Sequence, residues 1–269
     1  MNNLKVLMTG DYWHADFRSV IANAAFPITM QTLSSTIDVE NDDRDFDLVV
    51  VAQSRRGQLE IQTIEKLLAK YVNTPVVSLC GSWCEGETRS GSPIAGLVRI
   101  YWHQWLGQID NFVAQINEQQ IATWQLPKIA TIPDRVQHQT KPDIPIVDRS
   151  VRVGVSTFTQ ENFLTIQDAL QVSGYQSQWI EGIDANDIND SDFSAICVDG
   201  NSLTVAFQNR IELLQNYFPH TPIILILNFP RSSEFAMARE MGISEIVSKP
   251  FQLCDLKFAV QRMLPSRAA

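Results

Sequence analysis

Residues able to do chemistry are concentrated in the first half of the chain, close to the ends of apolar runs. Tryptophan, tyrosine and arginine supply much of the contact energy of binding surfaces, and arginine pairs with carboxylate or phosphate groups. A cysteine near histidine and arginine can also be held as a reactive thiolate. These residue types indicate a patch for a peptide, a partner loop or a small planar ligand. The candidate members are Trp13, His14, Arg55, Cys80, Trp83, Arg99, Tyr101, Trp102 and His103.

Two other interpretations of these residues stay open. The aromatic side chains also suit a buried core or a surface between domains, because tryptophan buries a large area. Zinc binding is the second, and the side chains that could converge for it are Cys80, Cys84, His14, His103 and Glu85. A Cys-x₃-Cys pair with two distant histidines does not match the ligand spacing of structural zinc motifs, so we expect no metal here.

An internal repeat indicates the elements that position these residues. The matched pairs, all at an offset of 147 residues (153 − 6), are Val6 with Val153, Phe46 with Phe193, and Pro75 with Pro222. Within each copy, short β-branched runs alternate with segments of helical period. This alternation predicts an α/β protein with two tandem flavodoxin-like domains, each a doubly wound parallel sheet.

The second copy carries a more specific pattern. Residues 238–256 read AREMGISEIVSKPFQLCDL, which places Lys249 directly before Pro250, and Asp199 ends the third apolar run. On these residues, the region 151–265 resembles the receiver domain of response regulators. The resemblance implies that Asp199 stands where the family carries its phosphate-accepting aspartate. It also implies that Lys249 stands where a lysine pairs with the phosphoryl group.

The same resemblance identifies what this chain lacks. The family binds Mg²⁺ with two acids after the first strand, where this sequence has Ser156 and Thr157. The position of the switch hydroxyl falls on Leu227, followed by Asn228. We therefore expect a degenerate phosphoacceptor site, without metal or cofactor, in which Asp199 and the family lysine form an ion pair.

Residues 1–126 look like a more divergent copy of the same fold. The offset of 147 puts the acceptor position on Ala52 and the lysine position on Tyr101 or Trp102. Alanine has no carboxylate to accept a phosphoryl group, and tyrosine and tryptophan have no positive charge to pair with one. The first copy is therefore not expected to be a phospho-receiver.

Composition excludes several classes of function. The chain has 269 residues, with 30 acidic and 21 basic side chains and a net charge of −9, so binding to nucleic acid or to an anionic membrane is not expected. Four cysteines are too few for a disulfide framework, and the first apolar run is too short for a secretory signal. Both features predict a cytoplasmic protein.

The proline pattern suggests where one domain ends and the next begins. Pro127, Pro133, Pro142 and Pro145 punctuate a polar stretch, which predicts a semi-rigid, partly extended linker over 127–149. The domains are then 1–126 and 150–269.

The sequence favours a regulator over an enzyme. We expect a signalling protein that acts without phosphorylation through a protein partner or a second copy of itself. By resemblance, the contact surface would comprise Glu234–Met241, Glu245–Ser248 and Leu256–Met263. The alternative is a ligand-binding or enzymatic domain in the first half, built on the patch defined above.

Overall fold

A computed structural model describes residues 4–22, 28–32, 44–85, 94, 96–139, 151–180, 193–243 and 245–264. The chain divides into two compact units, Met1–Lys141 and Pro142–Ala269. None of the helices in the described ranges has the length and the apolar character needed to cross a lipid bilayer.

The first unit is a parallel sheet with helices between its strands. Its strands are β1 (Leu4–Gly10), β2 (Ile28–Thr32), β3 (Leu48–Arg55), β4 (Val76–Trp83) and β5 (Val98–Tyr101). Its helices are α1 (Ala15–Ala22), α2 (Ile61–Lys70), α3 (Trp105–Asn117) and α4 (Ile132–Gln139), with 3₁₀ turns at Trp102–Gln104 and Thr123–Gln125. The strand order is β2-β1-β3-β4-β5, and all pairs are parallel.

The second unit has the same arrangement. Its strands are β6 (Arg152–Ser156), β7 (Gln176–Trp179), β8 (Ala195–Asp199), β9 (Ile223–Asn228) and β10 (Glu245–Lys249). Its helices are α5 (Gln160–Val172), α6 (Val205–Tyr217), α7 (Ser232–Glu240) and α8 (Leu253–Met263). The order is β10-β9-β8-β6-β7, again all parallel. This order is that of flavodoxin-like folds, so the predicted fold class is confirmed.

The strand registers of the two sheets correspond residue by residue. Val49 pairs with Val76 in the first sheet, and Ile196 pairs with Ile223 in the second, each 147 residues later (196 − 49 and 223 − 76). The same offset relates the pair Cys80 and Tyr101, on β4 and β5, to the pair Leu227 and Ser248, on β9 and β10. Equivalent positions of the two units can therefore be assigned without ambiguity.

Each sheet is covered on both faces because its central strands are apolar on both sides. In the second unit, one buried cluster includes Val153, Val155 and Val260, and the opposite face includes Ile196, Val198 and Phe207. Burial of both strand faces is what a parallel sheet between two helical layers requires. The candidate sites lie toward the carboxyl ends of the strands, beyond these apolar faces.

The structure differs from the predicted linker in its first part. Ile132–Gln139 is the helix α4 rather than an extended segment, and Lys128 Nζ donates to two main-chain oxygens at the end of α2. Pro133 lies in the first turn of that helix. A backbone N–H there has no carbonyl partner within the helix, so proline, which lacks the N–H, costs no hydrogen bond. Residues 127–139 thus belong to the first unit. The remainder of the predicted linker, 140–149, lies outside the described residues.

Candidate functional site

Asp199 lies at the carboxyl end of β8, buried between the ends of neighbouring strands. Its Oδ1 accepts a hydrogen bond from Lys249 Nζ at 2.7 Å, which is the ion pair expected from the sequence. Its Oδ2 accepts from Thr157 Oγ1 at 3.0 Å and from Asn162 Nδ2 at 2.8 Å. Three donors therefore surround one carboxylate, which fixes its orientation and neutralises its charge.

A second cation, Arg210, lies at the same end of the sheet. Arg210 on α6 donates to Ser156 Oγ at 2.6 Å and to the main-chain oxygen of Asp199 at 3.4 Å. The Arg210 guanidinium carbon also lies 4.0 Å from the centre of the exposed Phe158 ring. Ser156 stands at one of the two positions where the family has acids, so a guanidinium group lies where a divalent cation would require negative oxygens.

The loop after β6 is held by aromatic packing. Trp179 Nε1 donates to the main-chain oxygen of Thr157 at 3.0 Å, and the Trp179 ring stacks on Phe163 at 5.7 Å between centroids. This bond positions the hydroxyl of Thr157 toward Asp199. Trp179 is consequently a spectroscopic reporter that is linked to the carboxylate through Thr157.

The two residues expected at the switch position have other roles. Leu227 is fully buried in the core on the α6–α7 face of the sheet. Asn228 is exposed and donates from Nδ2 to Asn201 Oδ1 at 3.0 Å. A buried leucine cannot provide the hydroxyl that the family uses to hold a phosphoryl group.

In the first unit the equivalent positions are apolar. The counterpart of Asp199 is Ala52, which is fully buried, and the counterpart of Lys249 is Trp102 (249 − 147), which is 2% exposed. Trp102 lies in the 3₁₀ turn that packs against α1, β4 and α3. The prediction that Trp102 belongs to an exposed ligand patch is therefore wrong, because this residue packs in the core. An aromatic core residue stands where the second unit has its lysine.

The cysteine at the end of β4 has a polar surrounding. Cys80 is buried, and Arg99 Nη2 lies 3.6 Å from its sulfur. Ser78 Oγ is 3.5 Å from the same sulfur and accepts in turn from Gln53 Nε2 at 2.8 Å. A hydrogen bond from Cys84 and the charge of Arg99 hold the pKa of Cys80 at about 7, below its ordinary value of 9.0, in spite of burial.

Two further members of the expected patch lie beside this cysteine. Tyr101 follows Arg99 on β5 and stacks on His103 at 5.8 Å between ring centroids. His103 Nε2 lies 3.6 Å from Glu85 Oε1, with both side chains largely buried. Burial raises the pKa of Tyr101. Cys80, Arg99, Tyr101 and His103 therefore lie near one another, and their role as a ligand patch stays a prediction.

The remaining members of the patch lie at the surface. Trp83 is 79% exposed and stands opposite the exposed Arg55 in the β3–β4 register. Trp13 is 51% exposed and precedes His14, whose Nδ1 lies 3.6 Å from Asp16 Oδ2. These residues lie at the surface and do not form the walls of one pocket.

The structure does not assemble the zinc ligands considered above. Within the described ranges, no group of three or more histidine, cysteine, aspartate or glutamate side chains is close enough to hold a metal ion. The Cys84 sulfur instead lies 3.4 Å from the main-chain oxygen of Gln53. His14 is engaged with Asp16 and is not part of a cluster with the two cysteines.

Sequence reasoning did not identify Asn162 and Arg210. Both stand on amphipathic helices, where polar residues ordinarily face solvent, so residue type alone does not separate them from their neighbours. Position offers a weak signal for Asn162, since it comes three residues after Thr159, the N-cap of α5, and so lies in the first helical turn beside the strand end.

Comparison with known proteins gives structural neighbours only. No protein-family model matches this sequence, and no curated protein matches it. One neighbour is a pilus assembly-related protein of Burkholderia pseudomallei, with 17% identity, 44% of this chain and 95% of that chain covered, and a TM-score of 0.38. A two-component response regulator/GGDEF domain protein has 12% identity, coverage of 97% and 98%, and a TM-score of 0.33. The Escherichia coli RcsC C-terminus, with a linker region and a phosphoreceiver domain, has 15% identity, coverage of 98% and 93%, and a TM-score of 0.32.

Proposed function

We propose that this chain is a signalling or regulatory protein whose second unit works as a pseudo-receiver, by protein contact rather than by phosphorylation. The observation that carries the proposal is the Asp199 carboxylate, which takes three donors, one of them the Lys249 ammonium, while Arg210 donates to the main-chain oxygen of the same residue. The strand order and the position of Lys249 at the end of β10 are those of a receiver-like fold.

Charge and ligand number oppose phosphoryl transfer at this carboxylate. Attack on a phosphoryl group needs a cation to neutralise the developing charge, and Mg²⁺ takes its ligands from carboxylates, phosphate oxygens and water. The residues beside Asp199 are hydroxyls, an amide, a lysine and an arginine. Adding a divalent cation here would require displacing Arg210 from Ser156 without a second acid to compensate.

The proposed contact is with a second copy of this chain, through the surface formed by α7, β10 and α8. Arg262 on α8 makes two 2.7 Å bonds to the Glu245 carboxylate on β10, which fixes the two elements relative to each other. Met237 on α7 and Leu253 at the start of α8 are both 36% exposed. A rigid face with exposed apolar side chains among charged ones has the composition of a non-obligate protein contact.

Incubation of the full chain with Mg²⁺ and a small phosphodonor tests the proposal. Intact-mass spectrometry should detect no added phosphoryl group, and self-association measured by light scattering should be the same with and without the donor. The double variant Met237→Glu/Leu253→Glu should lower that self-association, whereas Leu213→Glu, an exposed apolar residue on α6, should not. A phosphorylated Asp199 would reject the pseudo-receiver assignment, and equal behaviour of the two variants would reject the proposed surface.

A further inference from the structure

The first unit contains a pair of cysteines that neither the receiver-like fold nor the proposed function uses. Cys80 lies in the buried part of β4, and Cys84 follows the strand in a turn closed by the bond from its N–H to the Gly81 carbonyl at 2.9 Å. Both side chains are 1% exposed. The Cys84 sulfur lies 3.4 Å from the main-chain oxygen of Gln53, the residue that pairs with Cys80 in the β3–β4 register, so the turn brings the second thiol back beside the first.

The surroundings of Cys80 favour a negative sulfur. Arg99 Nη2 lies 3.6 Å from the sulfur and brings a positive charge from the neighbouring strand. The Ser78 hydroxyl accepts from Gln53 Nε2, which leaves its own hydrogen available for the sulfur 3.5 Å away. As a thiol, Cys80 donates instead to the Ser78 carbonyl at 3.7 Å. The site thus has a partner for the sulfur in either protonation state.

We propose that Cys80 and Cys84 form a reversible disulfide when the protein meets a hydroperoxide, with Cys80 as the attacking and Cys84 as the resolving thiol. The proposal stands on the turn that joins the two cysteines and on the contacts of Arg99 and Ser78 with the Cys80 sulfur. It is independent of the proposed function, which concerns the second unit.

The chemistry balances in two steps. The Cys80 thiolate attacks one oxygen of the hydroperoxide, the O–O bond breaks, and the departing alkoxide or hydroxide takes a proton to leave an alcohol or water. Cys80 is then a sulfenic acid. The Cys84 sulfur attacks the Cys80 sulfur, the S–O bond breaks, and the leaving hydroxide takes the Cys84 proton to form water. The cysteines lose two electrons, and the hydroperoxide gains them.

Burial restricts which oxidant can react. Because both cysteines are 1% exposed, hydrogen peroxide should react faster than bulky thiol reagents or oxidised glutathione.

The other two cysteines are internal controls of opposite kinds. Cys197 is completely buried, which raises its pKa to about 12, and Cys254 is partly exposed on α8. Neither should react first if the arginine and the turn determine reactivity.

The test is peptide mass spectrometry of the reduced full chain after a short pulse of hydrogen peroxide and alkylation under denaturing conditions. We expect a Cys80–Cys84 disulfide that dithiothreitol reverses, while Cys197 and Cys254 remain alkylated. In Cys84→Ser, a sulfenic-acid trap such as dimedone should label Cys80. Oxidation of Cys254 before Cys80, or irreversible oxidation of Cys80 without a disulfide, would overturn the proposal.

A charge variant provides a measurement that does not depend on removing a cysteine. Arg99→Met should slow oxidation of Cys80 by about tenfold at neutral pH, because loss of the guanidinium lowers the thiolate fraction. Arg55→Met removes an exposed arginine from the neighbouring strand β3 and should leave the rate unchanged. Circular dichroism confirms that each variant is folded. Equal rates for the two variants would contradict the assigned role of Arg99.

Discussion

Lys249 Nζ lies 2.7 Å from Asp199 Oδ1, although their strands β10 and β8 are separated by β9. The lysine crosses the end of the intervening strand to reach the carboxylate. About a quarter of the Lys249 side chain is exposed, so its charge keeps part of its hydration while the aspartate depends on protein donors. The pair therefore joins the ends of two strands that are not neighbours in the sheet.

Asp199→Asn should destabilise the second unit by about 2 kcal/mol. The new amide nitrogen must face one of the donors from Thr157, Asn162 or Lys249, and the lysine loses its counter-ion. Calorimetry of the full chain should show one transition lowered by about 10 °C. Asp168→Asn, the same chemical change at an exposed site on α5, should leave both transitions in place. An unchanged transition for Asp199→Asn would show that the pair is not structural.

Gly10→Ala should destabilise the first unit more than Gly57→Ala. Both glycines have positive φ, 87° and 69°, so each alanine has a backbone cost of about 1–2 kcal/mol. A Cβ at Gly10 would also collide with the carbonyl oxygen of Ala52, whereas a Cβ at Gly57 meets nothing within 4 Å. We expect a total of at least about 3 kcal/mol for Gly10→Ala. Urea unfolding followed by fluorescence measures the difference; equal losses would refute the close approach of β1 and β3.

Cys80 should make the stability of the first unit depend on pH. Its pKa is about 7 when folded and 9.0 ordinarily, so the folded state is favoured as pH rises from about 7 to 9. That gain, on the order of 2 kcal/mol, is lost as pH falls through about 7. The neighbouring groups that bear charge or titrate are Arg99, Cys84, Tyr101, Glu85 and His103.

Thiolate absorbance in the ultraviolet, measured during a pH titration, reports this ionisation directly. An amplitude near pH 7 should disappear in Cys80→Ser and remain in Cys254→Ser. The urea midpoint of the first unit should rise with pH in Cys254→Ser but much less in Cys80→Ser. A midpoint that rises equally in both variants would assign the effect to another group.

The fold could be predicted because apolar periodicity and a constant offset both depend on the backbone. The offset of 147 residues between Val6 and Val153 also relates the strand pairs of the two sheets. An insertion or deletion within one copy would have changed the sequence offset of every strand that follows it. The resemblance around Lys249 was sufficient to place it beside Asp199, since the carboxyl ends of parallel strands meet at one edge of a sheet.

What the sequence could not provide was the direction of individual side chains. Tyr101, Trp102 and His103 follow one another, but the chain changes from strand to 3₁₀ turn after Tyr101, so the alternation of strand faces ends there. The turn buries Trp102 in the core, and the pattern of residue types does not indicate this. Arg210 was missed for a related reason: its partner Ser156 is distant in sequence and is itself inconspicuous.

Restoring the acids should create a cation site where the natural chain has none. In Ser156→Asp/Thr157→Asp/Arg210→Gln, two carboxylates join Asp199 and the guanidinium is removed, which gives Mg²⁺ the oxygen ligands that it requires. We expect this variant to bind Mg²⁺ at millimolar concentration. Arg210→Gln alone is the matched control and should not bind, because it leaves only one acid. Binding by the control would mean that the arginine, rather than the missing acids, prevents cation binding.

The most direct measurement of the central claim is a Mg²⁺ titration of the natural chain followed by the fluorescence of Trp179, whose indole donates to the Thr157 carbonyl beside Asp199. The Trp179→Phe variant supplies the signal of the other tryptophans for subtraction. We expect no saturable change for the natural chain and a saturable change for the restored variant. A saturable response of the natural chain at millimolar Mg²⁺ that is lost in Asp199→Asn would contradict this expectation.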